Sequence, residues 1–124
     1  MSSQSPAATS AFLMEEQIVT ANGEGLPVAV GGASGRIATL TLGIVESAEQ
    51  QSIEVSIYRS ADGEVWEEPP ILVFPQRFYA GTTAMTLDPG RWQGTAYLKA
   101  RWSVNRWGRG PLAPRFHAYL FLRL

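Results

Sequence analysis

The 124-residue sequence predicts an all-β fold, an antiparallel β-sandwich that is jelly-roll-like with about eight strands. Three observations carry that prediction. Short segments alternate apolar and polar residues with a period of two, the pattern of a strand with one buried face. Most of the twelve glycines and eight prolines fall between those segments, at turns rather than in repeats. No window carries a convincing helical period, although Glu46 to Gln51 leaves room for a single helical turn.

The elements follow in chain order. Residues 1–25 read as an extended N-terminal arm, because their first part is Ser, Ala, Gln, Thr and Pro, which cannot bury enough surface to order itself. Within that arm Phe12 to Thr20 fits a short strand or a docked segment. Residues 26–124 form the sandwich. Leu26 to Val30 is short and contains Pro27, which suits an edge. Arg36 to Glu46 is the first long strand, with Ala38, Leu40, Leu42 and Ile44 inward. Ser52 to Ser60 is the clearest strand, with Ile53, Val55 and Ile57 on one face. Val65 and Trp66 begin a returning strand, and Ile71 to Tyr79 follows as an edge or bulged strand because Pro75 lies inside it. Thr82 to Leu87 alternates and stops at Asp88-Pro89-Gly90. Thr95 to Asn105 and Arg115 to Leu124 complete the sheets. In the last strand Phe116, Ala118, Leu120, Leu122 and Leu124 share one face, while His117, Tyr119 and Phe121 give the other a covered rather than wet look.

The length fits one domain, burying roughly two-thirds of its unfolded surface without a metal or disulfide staple. The absence of cysteine excludes disulfides, thiolate nucleophiles and thiolate metal sites. The N-terminus has no charged, apolar leader, so synthesis is expected in the cytoplasm without a signal peptide, with no membrane contact. Net charge is −1, but residues 1–90 hold all eleven acids and three bases, while residues 91–124 hold seven bases and no acid. Either the two halves of one sandwich attract each other, or an acidic patch on one subunit meets a basic patch on the next. Nucleic acid is not an expected partner, since the balance is acidic and only one base is lysine.

Ser60-Ala61-Asp62-Gly63-Glu64-Val65-Trp66 is a turn with a mechanism: serine and aspartate cap it, glycine takes positive φ, and tryptophan folds back as a lid. This Ser-x-Asp-Gly-x-x-Trp hairpin resembles one in discoidin-like (coagulation factor 5/8 type C) carbohydrate-binding sandwiches. It also resembles a hairpin in β-sandwich proteins of phage virions and tails. The resemblance covers seven residues and implies a sandwich fold, with no binding residues carried over from either family.

No convergent catalytic set is visible, so an enzyme is not expected. His117 is the sole histidine and has no acid near it in sequence, which favours a structural role. Glu64, Glu67 and Glu68 around Asp62 lack EF-hand spacing and read as a solvated hairpin tip, so neither metal nor cofactor is expected. Contact chemistry instead gathers in Arg106-Trp107-Gly108-Arg109, with Arg91 and Trp92 as further candidates. Exposed tryptophan beside arginine anchors protein interfaces and stacks on sugar rings. The alternative is that Trp107 packs under its loop while Arg106 and Arg109 pair with Glu67, Glu68 or Asp88. The expected role is a non-enzymatic structural subunit that self-assembles, or decorates a phage-like virion, tail or filament, with neighbouring copies as partners. A carbohydrate-binding module is the competing expectation.

Overall fold

The computed structural model describes residues 10–31, 33, 35–108 and 113–124. Nine strands are present among them: β1 (Ser10–Val19), β2 (Gly23–Glu24), β3 (Val28–Ala29), β4 (Ala38–Ser47), β5 (Gln51–Ser60), β6 (Leu72–Val73), β7 (Gly81–Leu87), β8 (Tyr97–Arg106) and β9 (Phe116–Arg123). Every pairing is antiparallel. The first sheet has the order β1-β9-β4-β7, and the second runs β2-β8-β5-β6 with β3 also on β8. The chain changes sheet at each step except β2 to β3 and β5 to β6, which is the jelly-roll winding.

The inward sets expected from alternation form the core. Ala38, Leu40, Leu42 and Ile44 of β4 meet Ile53, Val55 and Ile57 of β5, with Leu98 and Ala100 of β8 and Phe116, Ala118, Leu120 and Leu122 of β9. Burying each large aliphatic or aromatic side chain contributes about 1.5–3 kcal/mol.

Four local expectations change. Residues 10–25, assigned above to an arm, belong to the sandwich: β1 pairs along β9, and Leu13, Met14 and Val19 enter the core. Two register shifts, between Phe12 and Met14 and between Met14 and Gln17, break its alternation, so Leu13 and Met14 are both buried though adjacent. Residues 1–9 lie outside the described residues. No helical turn forms between Glu46 and Gln51; the chain crosses between sheets there, and Gln50 takes a φ of 58° to do so. The return at Val65 and Trp66 is a single Ser60↔Trp66 bridge rather than a strand. There the turn satisfies itself: Asp62 Oδ1 accepts from the amides of Glu64 and Val65 at 2.8 and 2.9 Å. Finally, the stretch with Pro75 runs beside β5 as an edge, but only Leu72–Val73 is regular strand.

Candidate functional site

The predicted contact residues separate along the length of β5. Arg106 pairs with Gln51 at its start, and the Trp107 amide donates to the Gln50 carbonyl at 2.8 Å. At the far end Arg59 donates to the Arg91 carbonyl at 2.9 Å, and the Arg91 guanidinium donates to the Ile71 carbonyl at 2.8 Å. Eight residues of strand separate the two, roughly 25 Å. They therefore form no single platform.

Trp92 is not a contact residue at all. It is fully buried, and its Nε1 donates to the Arg36 carbonyl at 2.7 Å. The three-residue 3-10 turn Pro89–Arg91 tips the ring inward, where it fills the end of the core. Arg109 falls outside the described residues. Arg106 is half-buried and donates to the Ala113 carbonyl at 3.1 Å, rather than pairing with Glu67, Glu68 or Asp88. Trp107 keeps 45 % of its surface exposed and meets Phe78 edge-on, with ring centroids 6.2 Å apart. Tyr79, 77 % exposed, extends that aromatic group. Phe78 and Tyr79 lie in a proline-broken edge, where alternation carries no sign of a contact role, and the aromatic doublet itself is their signal in the sequence.

A buried clasp supports this end. The Gln51 amide nitrogen donates to the Ser47 hydroxyl and the Arg115 carbonyl, while its oxygen accepts from the Arg115 amide. It ties the start of β5 to the approach to β9 across the two sheets.

The two outward faces differ in chemistry. On the second sheet Lys99, only 7 % exposed, lies 3.3 Å from Glu24 and 4.4 Å from the Trp66 ring centre. Arg101 lies over Tyr58 and pairs with Glu24 at 3.2 Å and Glu68 at 3.7 Å. Hydrogen bonds from Lys99 and then Arg101 hold the Glu24 carboxyl below its ordinary range, and Glu24 in turn raises Arg101. A shallow groove of about 560 Å³ crosses this face between Asn22, Glu54, Ser56, Tyr58, Arg101 and Ser103.

The first sheet presents rows instead of pairs. Phe12, Phe121, Thr41 and Ala84 stand opposite one another across four strands, and Tyr119, Gly43 and Thr82 form the row beside them. Phe12 meets Phe121 and Tyr119 edge-on at 4.9 and 6.2 Å. The Tyr119 ring lies so close on Gly43 that a Cβ there would overlap it. Charge on this face lies toward its ends, at Arg123 and at Glu46, His117 and Glu16, where His117 Nε2 and Glu16 Oε2 stand 2.7 Å apart. That pair spans 101 residues of sequence, which hid it from a reading of local motifs.

Among the described residues no three His, Cys, Asp or Glu side chains are grouped to hold a metal ion, and no helix is long and apolar enough to cross a membrane.

No protein-family model matches the sequence, and no curated protein matches it. Solved structures match the fold. The structure of infectious bursal disease virus Gx strain aligns with a TM-score of 0.56 at 11 % identity, over 91 % of this chain and 30 % of that one. The VP2 subviral particle of infectious bursal disease virus aligns with a TM-score of 0.54 at 7 % identity over the same shares. A looser likeness, TM-score 0.44 at 12 % identity, is to the K3 cleaved adhesin domain of Lys-gingipain from Porphyromonas gingivalis w83, over 93 % of this chain and 73 % of that one. The chain thus spans about a third of the length of the viral proteins it matches, and what it shares with them is the sandwich fold.

Proposed function

We propose that this chain is a non-enzymatic structural subunit whose first sheet packs against neighbouring copies in a larger assembly. One observation carries the reading: the middle of the outward face of β1-β9-β4-β7 is an uncharged surface of Phe12, Tyr119, Phe121 and threonines, with its charges and the His117–Glu16 pair toward the ends, where the other face is occupied by ion pairs. A contiguous apolar face of this kind marks an interaction surface. The likeness of fold to proteins of virus particles supports the same reading. Part of the charge segregation along the sequence is used within the chain, where Lys99 and Arg101 pair with Glu24 and Glu68.

Light scattering on a sizing column tests it. The mass should be a multiple of 13.5 kDa and should hold as salt rises, since screening weakens exposed charge pairs but not apolar contact. A single-subunit mass at every protein concentration contradicts the proposal.

Carbohydrate binding is the second reading, and the exposed group of Trp107, Phe78 and Tyr79 favours it. Rings presented together offer a stacking surface for a sugar. Quenching of Trp107 fluorescence in a glycan screen, lost in Trp107→Ala, would support it; a screen without quenching would remove it.

A further inference from the structure

A sheet edge presents unpaired backbone N–H and C=O groups, and native sheets blunt such edges by shortness, proline, charge or bulges. Three edges of this sandwich carry such a device. β1 has its two register shifts together with Glu15 and Glu16. β2 and β3 are two residues each, with Pro27 beside β3. β6 is also two residues, between Pro70 and Pro75.

β7 carries none of them. Its seven residues, Gly81-Thr82-Thr83-Ala84-Met85-Thr86-Leu87, hold no charge and no proline. They run in unbroken register with β4, from Ile44↔Gly81 to Ala38↔Leu87. Among the described residues no backbone hydrogen bond joins this strand to anything but β4. Thr82, Ala84 and Thr86 are exposed on its outward face.

We infer that β7 pairs antiparallel with the β7 of a second copy, about a twofold axis through Ala84. Two first sheets then join into one continuous sheet. The inference rests on the assembly reading and adds an edge contact to the face named there.

The sequence of the strand fits itself in this register. Overlap of all seven residues sets Ala84 opposite Ala84, Thr82 opposite Thr86, Thr83 opposite Met85 and Gly81 opposite Leu87. Each pair joins residues of the same face, so the inward set of Thr83, Met85 and Leu87 stays inward and the outward threonines meet threonines. No like charges face each other, which would oppose the pairing. The row Phe12, Phe121, Thr41 and Ala84 continues through the axis into the same row of the other copy, making one uncharged surface from two.

The chain has no cysteine, so a single Ala84→Cys substitution supplies the sole thiol. In the inferred register that thiol faces its own copy across roughly 4.5–5.5 Å between Cα atoms, within disulfide reach. Mild oxidation of the full chain should give a covalent dimer with Ala84→Cys about tenfold faster than with Thr82→Cys or Thr86→Cys, whose counterparts lie diagonally away. The double variant Thr82→Cys/Thr86→Cys should recover the rate. Ala84→Cys cross-linking no faster than Gln17→Cys on β1 overturns the inference. Light scattering on the unoxidised protein separates the failures: a multimer without the Ala84 cross-link sinks the β7 contact and leaves the assembly, whereas a single subunit sinks both.

Discussion

The two outward faces of the sandwich meet solvent on different terms. Lys99, Arg101, Glu24, Glu68, Tyr58 and Trp66 on the second sheet find partners within the chain. On the first sheet Phe12 meets Tyr119 and Phe121 edge-on, over a floor of threonine and glycine, with no ion pair at these rings among the described residues. Alternation in a strand specifies only which residues face outward; the partners those residues find decide whether the face is finished in one chain. The second face is finished within one chain, and in the proposed function the first is the one a neighbour would complete.

The comparison can be broken in several ways. Leu120→Ala removes a fully buried side chain shared by both sheets and should cost about 2–5 kcal/mol, read as a fall in the denaturation midpoint. It damages both faces together. Phe121→Asp instead places charge within the uncharged row and should weaken association by about 2 kcal/mol or more, roughly thirtyfold, as for a central aromatic anchor. Sedimentation should show the mass falling while circular dichroism keeps the β signature. Gln51→Ala leaves the Arg115 amide without its acceptor and should cost about 1–3 kcal/mol of stability. On the finished face, Arg101→Ala should change stability by only about 0.2–1 kcal/mol and leave the mass alone, because its contacts are exposed ion pairs.

Acid gives the smallest and most local effect. Two backbone amides, from Val65 and then Glu64, hold Asp62 below the ordinary aspartate range, and Lys99 and Arg101 hold Glu24 below the ordinary glutamate range. A depressed folded-state pKa contributes stability above the unfolded value and loses it as pH falls through the lowered folded value. Loosening on acidification should therefore begin at the Ser60–Trp66 turn and the β2 edge, with amide signals of Glu64 and Val65 broadening before those of β4 or β9. Simultaneous broadening in all of these would contradict that order.

The core strands were legible because alternation survives in β5 and β9 and, up to the register shift after Ile44, in β4. Leu40, Ile57 and Leu120 take their inward places from alternation alone. β1 was less legible, since its register shifts bury Leu13 and Met14 side by side and erase the period of two. Trp92 misled for a different reason: arginine and turn residues around it look like surface, and only the 3-10 turn sends the ring inward. Lys99 reads as an exposed position in a strand, yet Trp66 and Glu24 cover it from segments more than thirty residues away. The aromatic face had a visible trace in Tyr119 and Phe121; its extent depended on Phe12 arriving opposite Phe121 from the far end of the chain.

Amide hydrogen exchange on the unmodified protein, followed from dilute to concentrated solution, tests the central claim most directly. A strand paired on one side protects only part of its amides, and a second partner protects the rest. Completion of the first sheet by another copy predicts that Gly81–Leu87 amides gain protection with concentration while those of Leu72–Val73, on the other sheet, do not. Exchange in β7 that stays the same at every concentration would contradict it.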